Sequence, residues 1–303
     1  MAATGRRRHL LVLDVNGLLL DTYRTGKQGP GRPYDAKVNR FSVYKRPFCD
    51  EFLRFCLDHF VVGVWSSAQK NNVYAFVEYI FKEAKEKLAF VWHQDHCTNT
   101  GFRHPDNHHI PVFLKELWKL WEKIEPNLPW EAGDYGPLNT LLIDDSPSKA
   151  MKNPSYTAIF PKTYKATDPN DNNLGAELRI YLQGLLQMTD VQAYVQENPF
   201  GERSIAIGDP KWSKILLSFR VEDKRVPSVG GHLVSTGQTT VPKNPFSPSA
   251  GAGSQCYLSK IGKQKLLDAL GYEEEEHEKN LKGEGGNNLQ SALGKLSLQE
   301  APA

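Results

Sequence analysis

Residues 9–18 read HLLVLDVNGL, four consecutive apolar residues, Leu10 to Leu13, ending abruptly in the carboxylate of Asp14. A strand covered on both faces of a parallel sheet has this continuous apolarity, whereas a half-exposed strand alternates. In such sheets ligands gather outside the carboxyl ends of the strands. The stretch therefore predicts a first buried strand whose tip presents Asp14, with a turn at Asn16-Gly17 directly after it.

Working outward, the same pattern recurs. FVVGVW at 60–65 runs into Ser66, and TLLI at 140–143 runs into Asp144 and Asp145. Shorter strands are expected at 90–92 (FVW) and 156–160 (YTAIF). Helical spacing separates them. Pro47 opens a helix with Phe48, Phe52, Phe55 and Cys56 on one face, and further helices are expected over 71–87 and 113–124, with one or two closing helices over 174–195. Strands alternating with helices predict an α/β fold with a doubly wound parallel sheet and helices on both faces.

The remaining segments read as connections. Residues 24–33 form a polar, Gly/Pro-rich excursion. Residues 93–109 form a loop containing His93, His96, His104, His108 and His109, whose spacing matches no common zinc site. Residues 126–137 form an insert with exposed-looking Trp130 and Tyr135. Trp118 and Trp121 read as packing residues. The main domain is expected to span 8–201. An extension over 202–241 follows, in which Trp212 to Val221 can pack as a strand or short helix. From 242 to 303 the composition turns to Gly, Ser, Asn and Pro, with an acidic run at 273–276, which predicts a disordered tail. Leu266, Leu267 and Leu270 suggest a short docking helix within it.

Composition bounds the function. Hydrophobic residues make up 40% and charged residues 24%, near globular averages, and the net charge of +2 comes from scattered basic residues. No basic stripe argues for direct nucleic-acid binding, and no apolar run is long enough to span a bilayer. No signal or transit segment is read before the first strand, so an intracellular address, nuclear or cytoplasmic, is expected, with a mitochondrial one less so. Cys49, Cys56, Cys97 and Cys256 are too irregularly spaced for a disulfide framework and read as reduced thiols.

In this topology three strand tips converge, bringing Asp14 with Asn16, Ser66, and Asp144 with Asp145 to one place, near Lys115. Carboxylates suit a hard cation such as Mg²⁺, which takes a few of them plus water and substrate phosphate; Asp14 and one of Asp144 and Asp145 are the expected donors. Asp14 is the candidate nucleophile for an aspartyl-phosphate. The hydroxyl of Ser66 and the ammonium of Lys115 suit the oxygens of a transferring phosphoryl group.

These motifs, in this order, make the chain resemble the haloacid dehalogenase superfamily, and within it the NLI-interacting-factor-like branch that includes phosphatases of the RNA polymerase II C-terminal domain. LLVLDVNGLL matches the first motif at Asp14, KRPFCDEFL its arginine-proline helix start, VVGVWSSA the second motif at Ser66, KELWKLW the third at Lys115, and LLIDDSP the fourth at Asp144 to Pro147. The resemblance covers about residues 8–201. It implies a Rossmann-like fold, Mg²⁺ as cofactor, a phosphoprotein bearing phosphoserine or phosphothreonine as substrate, and metal ligation by Asp14, the backbone carbonyl of Asn16, Asp144 and Asp145.

Two positions depart from the family. Asn16 stands where the second Asp of the first motif serves as general acid and base, and Leu18 stands where the family has Thr. An amide has no proton to transfer, and a missing positioned acid typically costs roughly 10²–10⁴ in rate. The expected function is a phosphatase-like protein of reduced activity. The alternative is an inactive phosphate-recognising or scaffold protein, similar to the mitochondrial presequence-translocase import receptor of the same branch, that meets a protein partner.

Overall fold

The computed structural model describes residues 7–222 apart from 169 and 207. The predicted tail, its leucine helix and Cys256 lie outside the described residues. In chain order the elements are β1 (Leu10–Leu13), β2 (Leu20–Arg24), β3 (Ala36–Val38), β4 (Phe41–Lys45), α1 (Cys49–His59), β5 (Val61–Trp65), α2 (Lys70–Phe81) and β6 (Phe90–Trp92). They continue with β7 (Thr98–His104), β8 (Asn107–Leu114), α3 (Trp118–Trp121), β9 (Thr140–Ile143), β10 (Ala158–Ile159), α4 (Leu178–Leu185), α5 (Val191–Glu197) and α6 (Ser213–Glu222).

The predicted parallel sheet is present, in the order β10-β9-β1-β5-β6. Its registers align Leu13 with Val64 on one side and with Ile143 on the other, so the chain leaves all three strands at the same height. Side-chain alternation divides the core in two. Leu11 and Leu13 face a layer built from Phe52 and Cys56 of α1, Phe76 and Ile80 of α2, Leu178 and Leu182 of α4, and Val191 of α5. Leu10 and Val12 face Trp65, Leu117, Leu120, Leu128 and Trp130. All four residues of β1 are completely buried, which explains their unbroken apolarity, at about 1.5–3 kcal/mol of burial each.

Several sequence expectations are corrected. The 24–33 excursion connects two strands of a three-stranded antiparallel sheet, β2-β4-β3, unrecognised because its strands are short and only partly buried. The His-rich stretch is largely an antiparallel hairpin, β7 with β8, turning at Pro105-Asp106. The helix expected over 113–124 shrinks to the single turn of α3, because residues 107–114 are drawn into β8. Trp130 and Tyr135 are buried, at 4% and 3% exposure, rather than displayed. Their rings meet edge to face and fill the second core layer where a longer helix was expected. Trp118 is exposed, while Trp121 packs at the core edge and donates its indole N–H to Thr140. Beyond 201, Trp212, directly before α6, and Ile215 in its first turn pack against Val112 and Leu114 of β8.

Candidate active site

The site stands at the carboxyl end of the sheet, and backbone bonds hold its parts at a common height. The Asp14 amide donates to the carbonyl of Ile143 at 3.0 Å, and the Asp144 amide to that of Ile159 at 3.2 Å, so each aspartate continues its strand's pairing by one residue. The Ser66 amide likewise donates to Trp92 at 3.0 Å. Ser66 is buried, and its Oγ accepts the Ala68 amide at 3.3 Å, a turn contact at the mouth of β5.

Lys115 follows β8 directly rather than opening a helix. Its amide donates to the carbonyl of Lys149 at 2.8 Å, and its carbonyl accepts Asn153 Nδ2 at 2.8 Å. The side chain, completely buried, donates to Asp14 Oδ1 at 2.8 Å and Asp144 Oδ2 at 2.5 Å. Burying an isolated ion costs several kcal/mol, so such a lysine persists only when paired on this scale.

A second lysine, unread in the sequence, completes the cluster. Lys149 lies on the short 3₁₀ turn Pro147–Ala150 just after the Asp-Asp pair. Its Nζ is 2.7 Å from Asp14 Oδ2, 2.9 Å from Asp144 Oδ1 and 3.6 Å from Asp145 Oδ1. Burial alone would lower its pKa, but the facing charges of Asp14, Asp144 and Asp145 outweigh that and hold it well above the ordinary lysine value. Both oxygens of Asp14 thus meet an ammonium.

Asp145 is held by its surroundings. Its Oδ1 accepts the Ser146 hydroxyl at 3.1 Å and its Oδ2 the Thr163 hydroxyl at 2.9 Å. Gly17 makes room for it: φ there is +82°, and a Cβ at that position would lie 2.0 Å from Asp145 Oδ2. Only glycine meets both demands. Asn16 turns its side-chain oxygen to the Thr22 hydroxyl, 3.4 Å away, and Leu18 is fully buried in the core.

One further tie was missed from sequence beyond its helix-start role. Arg46, 1% exposed, forms a bidentate pair with Asp171 at 2.8 Å for both bonds, and also donates to the carbonyls of Leu18 and Lys162. It therefore joins the loop after β1 to the segment that carries Thr163.

Among the described residues, Asp14, Asp144 and Asp145 are the one group of three or more His, Cys, Asp or Glu side chains placed to share an ion, with one oxygen of each within 4.8 Å of the others. Three carboxylates are hard donors that fit a divalent cation of the Mg²⁺ type. The histidines expected in one loop are dispersed. His96 stacks on Trp92, His93 meets His96 edge-on, and His104 meets Trp212 on the hairpin. No helix among the described residues is long and apolar enough to cross a membrane.

Known proteins resemble this one at the same region. A family model described as NLI interacting factor-like phosphatase matches residues 9–192. An uncharacterized FCP1 homology domain-containing protein of Schizosaccharomyces pombe is 29% identical over 198 residues, which cover 64% of this chain and 78% of the relative. Among solved structures, a variant of the fission yeast RNA polymerase II CTD phosphatase Fcp1 bound to beryllium fluoride aligns with a TM-score of 0.35 at 10% identity, covering 72% of this chain and 65% of that one. A structure of Fcp1, described as an essential RNA polymerase II CTD phosphatase, aligns with a TM-score of 0.33 at 12% identity, covering 71% and 62%. This chain therefore spans just under two thirds of those solved chains.

Proposed function

Because the chain belongs to the NLI interacting factor-like phosphatase family, we propose that it is a Mg²⁺-dependent phosphatase-like protein acting on phosphoserine or phosphothreonine in proteins, through an aspartyl-phosphate on Asp14, at a rate limited by Asn16. The observation that carries this reading is the buried cluster in which Asp14, Asp144 and Asp145 lie within reach of one ion while Lys115 touches the proposed nucleophile.

Asp14, Asp144 and Asp145 would hold the cation, with the Asn16 carbonyl as the family's further donor. When bound, the cation offsets the repulsion between a phosphate dianion and the carboxylates. The chain's own groups do the rest. An oxygen of Asp14 attacks phosphorus, the bond from phosphorus to the serine or threonine oxygen breaks, and water then cleaves the acyl phosphate to restore Asp14. Lys115, fixed through Asn153 and the Lys149 carbonyl, stabilises charge on the phosphoryl oxygens, and Ser66 offers them a hydroxyl at the neighbouring strand tip.

The leaving alkoxide must take its proton from solvent, because the Asn16 amide has none to give. An aryl phosphate, whose leaving group is stable as an anion, is then the better substrate. Asn16 also supports a second reading, in which the site holds a phosphoprotein without turning it over.

One comparison separates the two. Freshly purified wild type, Asn16→Asp and Asp14→Asn are assayed with an aryl phosphate and a phosphoserine peptide, with and without Mg²⁺. Wild type should turn over the aryl phosphate only with Mg²⁺, Asp14→Asn should abolish this, and Asn16→Asp should raise phosphopeptide turnover by roughly 10²–10⁴. Absence of turnover in wild type, with peptide binding retained, favours the second reading.

A further inference from the structure

We propose that Lys149 is a resident counter-cation of the carboxylate cluster, which a divalent ion must displace to bind, so that this side chain sets the metal affinity of the site. The inference rests on the metal-dependent reading above.

The two lysines divide the carboxylate oxygens between them. Lys115 takes Asp14 Oδ1 and Asp144 Oδ2. Lys149 takes the opposite oxygens of the same two residues, Asp14 Oδ2 and Asp144 Oδ1, and is also the one that reaches Asp145. It thus draws on one oxygen of each member of the group suited to an ion. A hard divalent cation bound by all three needs carboxylate oxygens at about 2.0–2.6 Å, closer than the ammonium nitrogen lies, so it cannot take those oxygens while the Lys149 ammonium keeps its contacts with the same three residues.

Lys149 is also the lysine able to yield. Its side chain keeps 17% exposure against none for Lys115, and it rides on a four-residue 3₁₀ turn. The main chains of both are held, that of Lys115 by Lys149 and Asn153 and that of Lys149 by Lys115 and Ser146, so it is the side chains that differ in freedom. An entering ion therefore pushes Lys149 outward and leaves Lys115 on Asp14.

The test is Mn²⁺ uptake by the full chain, followed by the electron paramagnetic resonance signal of the free ion. Lys149→Gln and Lys149→Met should bind Mn²⁺ at least tenfold more tightly than wild type. Lys149→Arg, which keeps the charge, should not, and the exposed control Lys162→Gln should match wild type. A measurement on wild type alone guards against variants that do not fold: Mn²⁺ should raise the reactivity of Lys149 toward an amine reagent, read by peptide mass spectrometry, with Lys115 unlabelled. Equal or weaker binding by the Gln and Met variants, or unchanged Lys149 labelling, overturns the competition and leaves the phosphatase reading standing. No uptake by any of these proteins at millimolar Mn²⁺ overturns both.

Discussion

At the scale of single residues the cluster shows what sequence can and cannot carry. Asp14, Asp144 and Asp145 are legible because each follows an apolar run that had to be a buried strand, and a carboxylate at such a tip has no packing reason to be there. Lys149 is not legible. It sits five residues past Asp144 on a turn, where no periodicity marks a side chain as inward, and a lysine after Ser-Pro-Ser reads as solvated. Asn16-Gly17 shows the reverse, a sequence hazard that local structure restrains. Deamidation needs the Gly17 nitrogen to attack the Asn16 side chain, yet that N–H donates to the Leu20 carbonyl at 2.7 Å. Peptide mapping of aged samples should find Asn16 converting at least several-fold more slowly in the folded protein than in urea. Equal rates would show that the bond offers no protection. Trace activity in stored wild type, if it comes from deamidated molecules, should then track that slowly growing fraction.

Among the elements, strands with an unbroken apolar run were readable and those built on polar alternation were not. The hairpin β7-β8 shows little continuous apolarity because its burial alternates or is confined to its last residues, Val112 and Leu114. Its one clear signal was the Pro105-Asp106 turn between two potential strands. The loop after β1 and the segment 162–171 are fixed to each other largely by polar bonds. Arg46 reaches both, the Tyr164 amide donates to the Gly17 carbonyl at 2.7 Å, and the Ala166 amide donates to Asp21 Oδ2 at 2.8 Å. The ties to the 162–171 segment join residues more than a hundred positions apart and leave no local trace. Replacing Arg46 with Ala strands Asp171 in a buried position, at a cost of about 3–5 kcal/mol in urea unfolding. The double change Arg46→Met with Asp171→Leu should recover much of that loss. If the single variant loses less than about 1 kcal/mol, the pair does not hold this seam.

Across the whole molecule, the parallel sheet and its two core layers followed from the strand pattern, but the support behind the lysines did not. Trp212 and Ile215, beyond the region matched by the family, pack on Val112 and Leu114, with Met151 at the margin of the same cluster. Leu114 precedes Lys115 and Met151 lies two residues past Lys149, so this cluster backs both lysine-bearing segments. Trp212→Ala should cost about 3–5 kcal/mol in denaturant unfolding and lower the activity of the remaining folded molecules. An unchanged midpoint would mean that the C-terminal helix is dispensable to the domain. The strand order has a consequence for biosynthesis as well. Of the five strands in the parallel sheet, β1 comes first in sequence yet lies in the middle, and its partner β9 is translated only after residue 139, while the cover for β8 waits for residue 212. On the ribosome the nascent chain therefore carries one bare edge of an entirely apolar strand from Leu13 until Thr140 has been made, an interval in which a chaperone can cover it.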